Sequence, residues 1–385
     1  MNARSALRRR GFSLVELLIS IVIGLLALLF AVRLMSGSEQ AQRGGVGSSD
    51  AMQNGMVALF SMSRDAGQAG FGLNDPILTG CDAILNADAG YALAPALRGT
   101  ATVHPLAPVI IESNGQNPDR ISFYSGSSMG GTGSVRTLSE YTGGTSLDID
   151  RVPYGFKLND VIVVAPEQAG GQCALAQLSE NPGASGKSLQ FANGVDTPFN
   201  GGELGAHYPA GATRVFDLGP SASLGFHTWS VDTGVLKLSA TDVSGTGTTP
   251  ASVADNIVSI KAQYGFDTRA GAAFTPASGM SVTQWSSTMI SADGDAVIGT
   301  PGDYARIAAV RIAVVARSKA PESAGAGGCK ATTAMPVVFA TASGNATASP
   351  VTVNVAVDGN SVAWQCYRYR VFETIVPLRN FGWRP

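Results

Sequence analysis

The stretch that decides the fold is RRRGFSLVELLISIVIGLLALLFAV, residues 8–32. Three arginines and a glycine precede a long apolar run that contains one carboxylate, Glu16. From Phe12 to Val32 there are 21 residues with Glu16 as the only charge. As a helix the run spans about 31 Å at about 1.5 Å per residue, which matches the hydrocarbon core of a bilayer. Arg4, Arg8, Arg9 and Arg10 lie before it, and Arg33 alone follows at once. That asymmetry predicts a cytoplasmic N-terminus and translocation of everything after the helix.

A secretory signal is cut after its apolar core. Here the small-residue junction, Gly11–Phe12, lies in front of it. Cleavage there removes the basic leader and leaves the apolar helix attached as an anchor. A charge at mid-bilayer costs about 2.5–3.5 kcal/mol on insertion scales, so Glu16 calls for a role. It sits four residues after Phe12, on the same helix face. The amine released at Phe12 by cleavage is a suitable partner for the carboxylate, in its own chain or in a neighbouring one.

RRRGFSLVELLISIVIG resembles the type IV prepilin N-terminus. That family has a basic leader, Gly before the cut, Phe after it and Glu at the fifth mature position, and these fall on Gly11, Phe12 and Glu16. The resemblance implies cleavage and N-methylation at Phe12 by a prepilin peptidase, and a role for Glu16 in docking the subunit into a filament. Many major pilins carry a proline in this helix. This chain has Gly24 and no proline before Pro76.

The rest of the chain reads as α+β. The 385 residues are 45% hydrophobic and only 14% charged, with a net charge of -2. No bulk basic field exists to attract nucleic acid, and none is expected as a partner. The helix is expected to run to about Arg43 and to break at RGGVGSS (43–49), because clustered glycine disfavours helix. Ser49 or Asp50 would cap a second segment whose Met52, Met56, Leu59, Phe60 and Ser63 face a core. AGQAGFG ends that helix near residue 67. The division is then a leader (1–11), a helical region (12–70) and a β-rich head (71–385), with a seam between two lobes near 242–252. Strands are expected at RISFYS (120–125), DVIVVA (160–165), SLQFA (188–192) and TRVFDL (213–218), with a hairpin in GFHTWSVDTGVLKLSA that turns near Asp232-Thr233-Gly234. NIVSIKAQYGFD and ARIAAVRIAVVAR are two strands, or a helix and a strand, since their alternation is imperfect.

The four cysteines, Cys81, Cys173, Cys329 and Cys366, are dispersed, and only three histidines accompany them, so a zinc site is disfavoured. An exported chain favours two disulfides, in one of three pairings. Cys81 with Cys173 and Cys329 with Cys366 is the simplest, joining sequence neighbours. GSSMG (126–130) fits the nucleophile pattern of a hydrolase at Ser128, but a poor helix start follows it. Asp148/Asp150 and Asp293/Asp295 lack the loop of a calcium site. Tyr367 and Tyr369 alternate with Arg368 and Arg370, a pattern of single-stranded nucleic-acid binders but equally of a strand with two unlike faces. No cofactor, no metal and no enzymatic activity are expected.

SRDAGQAGFG (63–72), NIVSIKAQYGFDT (256–268) and YRYRVFETIVPLRN (367–380) are similar to PilW-type minor pilins of the type IV pilus. The resemblance implies a subunit that primes pilus assembly in the inner membrane and then sits at or near the tip. Its implied partners are other minor pilins, a PilY1-like adhesin, the major pilin and assembly machinery, the prepilin peptidase, and membrane lipid before assembly. The alternatives are a J-type minor pseudopilin of type II secretion and a membrane-tethered hydrolase that uses Ser128.

Overall fold

The computed structural model of the chain describes residues 13–85, 90–127, 133–183, 186–194, 196–274, 279–322 and 327–382. Its first element is one helix of 55 residues, α1 (Leu14–Gln68). The break expected at 43–49 does not occur, and Ser49 and Asp50 are helix interior rather than caps. Each glycine costs about 1 kcal/mol relative to Ala, but unlike proline it keeps its N–H, so the hydrogen-bond ladder is uninterrupted. A long apolar block on one side and a docked segment on the other carry the helix across. It ends as expected, at Gln68, where Gly70 takes a φ of 82° and donates its N–H to Tyr124 O.

Strands are numbered in chain order. Under α1 lies an antiparallel sheet in the order β16 (Gln284–Ser286), β15 (Ile257–Phe266), β17 (Ile307–Arg317), β20 (Tyr369–Pro377). Beside it runs β14 (Ala251–Asp255), β13 (Val235–Ala240), β12 (Gly225–Asp232), β5 (Arg120–Ser125), β4 (Val109–Glu112), also antiparallel. The third sheet is β1 (Asp82–Ile84), β9 (Gln172–Gln177), β8 (Asp160–Pro166), β11 (Thr213–Pro220), β6 (Ser134–Arg136), with only β1–β9 parallel. Small pairs complete the head: β2 (Ala96–Arg98) with β3 (Ala101–Val103), β7 (Ser146–Asp148) with β10 (Ser188–Gln190), and β18 (Val337–Val338) with β19 (Val351–Thr352). A long helix followed by a strand-rich head is the expected α+β class.

The β12–β13 hairpin turns at Thr233 (φ 49°) and Gly234 (φ 81°), with Asp232 opposite Val235. Two positive φ values in a two-residue turn match the twist of the flanking strands. Both ambiguous segments are strands. β15 is buried along its whole length, so polar residues cannot mark a solvent face and the alternation is lost. The 242–252 stretch joins β13 to β14, which pair directly, Leu236 with Ala254. Cys81 is bonded to Cys173 and Cys329 to Cys366, with Cα separations of 5.9 and 4.7 Å. The first bond ties the entry to the head onto β9. The second closes the chain just before β20.

The face that α1 turns to the head differs from the expected one. Leu59 packs half-buried against the core as expected and Ser63 is half-buried, but Met52, Met56 and Phe60 are exposed, at 47%, 54% and 71%. The buried face is Ala51, Gly55, Ala58, Met62, Ala66 and Ala69. Small residues let the helix axis come close to the sheet, whereas the larger side chains would hold it away. Gly55 marks the nearest approach, where an added Cβ would meet the Phe372 ring at 2.2 Å. Gly55→Ala should therefore destabilise the protein by about 1–3 kcal/mol despite the better helix propensity of Ala. Phe372→Leu in the same chain should recover part of the loss. Thermal melts of the two single variants and the double variant check this, and additive effects would argue against the contact.

Candidate assembly site: the N-terminal helix and its docking

Leu14–Met35 is the one segment among the described residues that is long and apolar enough to cross a membrane, and none of it is buried against the head. Apolar side chains are exposed around the whole circumference, from Leu14 (78%) to Phe30 (70%) and Met35 (72%). Such a surface is compatible with lipid or with other apolar helices, and not with water. Glu16 stands in the first turn. Its Oε2 accepts the N–H of Ser13 at 3.3 Å, and Ser20 Oγ donates to the Glu16 carbonyl at 2.7 Å. The carboxylate thus folds back toward the helix N-terminus, where unpaired N–H groups and the helix dipole favour a negative charge. Gly11 and Phe12 lie outside the described residues, as does Ser128.

The C-terminal half of α1 is pinned to the head by polar contacts along one flank. Asn54 Nδ2 donates to Asp255 O at 3.0 Å. Asp65 Oδ2 accepts from Trp229 Nε1 at 2.8 Å and lies 2.8 Å from His227 Nδ1. His227 Nε2 lies 2.8 Å from Asp242 Oδ1. Burial alone would push the imidazole toward its neutral form, but the Asp242 and Asp65 carboxylates override it and raise the His227 pKa to about 9. At neutral pH the ring is an imidazolium that donates from both nitrogens.

That arrangement bears on hydrolase chemistry. Asp65, Ser125, Ser127, His227 and Asp242 line a common pocket of about 240 Å³. A general base needs a free, neutral nitrogen within reach of its nucleophile. Both nitrogens of His227 are taken by carboxylates. Ser127 Oγ donates to the Leu218 and Pro220 carbonyls at 3.4 Å. The tyrosines near the C-terminus turn inward: Tyr367 packs under Arg317 and Tyr369 donates to Trp364 O. Asp293 and Asp295 accept N–H groups of their own turn, Asp295 and Val297. Among the described residues no group of three His, Cys, Asp or Glu side chains is placed to hold a metal.

The pin was not read from the sequence, where the histidines carried no signal. Asp65 falls in SRDAGQAGFG, and His227 with Trp229 in the hairpin segment.

Residues 7–32 match the model of the prokaryotic N-terminal methylation motif. With the exposed apolar helix and the strand-rich head, this defines a type IV pilin-like protein. Residues 228–380 match the model described as type IV pilus-assembly protein W, which supports a minor pilin within that pilin-like class. Neither curated proteins nor solved structures give a match.

The His227 pKa of about 9 lies above its ordinary 6.5, so its contribution to stability is complete below pH 6.5 and is lost as pH rises through 9. The gap corresponds to about 3 kcal/mol at most. Urea unfolding should show this decline between about pH 6 and about pH 9, and His227→Gln should flatten it while lowering stability at pH 6. An unchanged pH profile in the variant would remove His227 from the pin.

Proposed function

We propose that this chain is a minor pilin that primes type IV pilus assembly in the inner membrane and is incorporated at or near the pilus tip, with other minor pilins and a PilY1-like adhesin. The observation that carries the reading is the apolar segment Leu14–Met35, exposed on all sides, with Glu16 turned to its N-terminal end. In this reading residues 1–11 are the leader, the prepilin peptidase cuts between Gly11 and Phe12, and Phe12 is N-methylated. The N-terminus starts in the cytoplasm and the 71–385 head in the periplasm.

Cleavage frees an amine at Phe12, next to the Ser13 N–H that Glu16 already accepts. In an apolar surrounding a carboxylate without a cation is costly, so Glu16 draws the amine of its own chain or of a neighbouring subunit. A helix that offers such a contact on one end and apolar surface along its length enters an open, head-to-tail stack. The head is large for a subunit repeated along a shaft, and suits a cap.

Deletion of the gene should abolish or strongly reduce surface pili, read by shearing and immunoblot. Glu16→Ala should leave the protein in the membrane fraction but lower its amount in sheared pili by about tenfold, the equivalent of about 1.4 kcal/mol. Normal piliation in the deletion strain would contradict a priming role. Normal incorporation of the Glu16→Ala chain would remove Glu16 from assembly.

A further inference from the structure

β20 is an edge strand, and its open side has a defined chemistry. The β17–β20 ladder runs through nine pairs without a register shift, from Ala309 opposite Pro377 to Arg317 opposite Tyr369. Just beyond its ends Leu378 N–H donates to Ala308 O and Ser318 N–H to Arg368 O, each within that same register. In an antiparallel pair the residues that exchange hydrogen bonds alternate with those that do not. The even-numbered residues of β20 therefore face β17. Val371, Glu373 and Ile375 point their N–H and C=O groups outward, and no backbone partner meets them among the described residues. Pro377 also stands at an outward position, where its missing N–H costs no ladder bond.

Apolar surface flanks this edge on both faces of the sheet. On the face away from α1, Val371 and Ile375 are 39% and 44% exposed. On the α1 face the helix overhangs it. At about 100° per residue, Asn54 and Asp65 lie on the flank that touches β14 and β12, Gly55 faces Phe372, and Met52, Met56 and Phe60 fall on the opposite flank. β15 and β14 adjoin on the first side of β17, so the second flank is the side of the free edge.

The geometry points to strand addition: an extended segment of a different polypeptide pairs with β20 through the outward groups of Val371, Glu373 and Ile375. Its residues opposite those three are apolar, basic and apolar. The residues between them are apolar and pack under Met52, Met56 and Phe60. The Glu373 carboxylate defines this occupant in two ways. Glu373 is the centre of β20, so two copies pairing symmetrically by this edge would set two carboxylates directly opposite, which is unfavourable. Oε1 of the same carboxylate accepts the Phe339 N–H at 2.7 Å, and its charge favours a cation on a foreign strand. Backbone bonds supply the affinity and alternate side chains the selectivity. The inference goes beyond the assembly role, since it states how a partner is held and not at which stage.

The test places a benzoylphenylalanine photocrosslinker at residue 371, 373 or 375 of the full chain, in cells that make pili. Adducts are taken from the membrane fraction and mapped by peptide mass spectrometry. One segment of one other protein should be hit, with the attachment point moving by two residues for each two-residue step along β20. With the probe at 371, Ile375→Pro removes an outward N–H without touching the β17 ladder. It should lower the adduct by about tenfold, and Ile375→Ala by much less. Yields are compared at equal amounts of chain carrying the Cys329–Cys366 bond, so a misfolded variant is not counted. Strand addition is overturned by no adduct, by attachment to a second copy, by scattered points or steps of three to four residues, or by equal effects of Pro and Ala. Normal piliation in a deletion strain would contradict the assembly reading and leave the adduct map standing.

Discussion

The close approach of α1 to the β17–β20 sheet sets the rest of the molecule. The helix comes near because its inner face is made of Ala51, Gly55, Ala58 and Ala66, with Met62 filling the space between them. Met52, Met56 and Phe60 on the same turns are displaced outward, while Leu59 packs half-buried at the margin. Met52, Met56 and Phe60 thus become surface because the inner face is small, not because the core lacks room for apolar side chains. The flank contacts then fix rotation about the helix axis. Asp65 meets Trp229 and His227 only in one rotational setting, and the charge on His227 holds Asp65 and Asp242 together. A docked C-terminal half gives the N-terminal half a fixed point of attachment, while Leu14–Met35 makes no contact with the head.

In the sheet beneath α1, β15 and β17 are covered on both sides, and this forces polar groups into the interior. Lys261 on β15 is fully buried and donates to the carbonyls of Gly115 and Asn117 and to the Asp119 carboxylate. Burial pushes the Asp119 carboxyl up, against the pull of Lys261 and two backbone N–H groups. Next along the same face, Gln263 accepts from Arg311, whose guanidinium lies over Trp285 and Phe339. Buried charges are tolerated when every hydrogen-bonding position is filled, and removing one partner is far more costly than the pair is stabilising. The network ties the β4–β5 connection to β15, and so the second sheet to the first.

The N-terminal segment was legible because length, charge asymmetry and a carboxylate in register are properties of the chain itself. So were the hairpin at Thr233-Gly234, where the turn dictates its residues, and strands such as Asp160–Pro166 with one continuous apolar run. The helix runs through 43–49 instead of breaking because local propensity is weak against flanking helix that is held elsewhere. Met52, Met56 and Phe60 lie outside although they are large and apolar, because the sheet comes too close at Gly55 for a bulky inner face. β15 and β17 stayed ambiguous because alternation needs a wet face, and they have none. Nothing in the sequence alone pairs Asp65 with a histidine 162 positions away.

The central claim is that α1 docks by a face of small residues and Met62, and leaves Met52, Met56 and Phe60 outside. Methionine oxidation reads this directly, because the three methionines of this region fall on both faces: Met62 is 0% exposed, Met52 47% and Met56 54%. Dilute peroxide treatment of the intact chain, followed by peptide mass spectrometry over time, should oxidise Met52 and Met56 at least about ten times faster than Met62. Equal rates at Met56 and Met62, or faster oxidation of Met62, would contradict the docking.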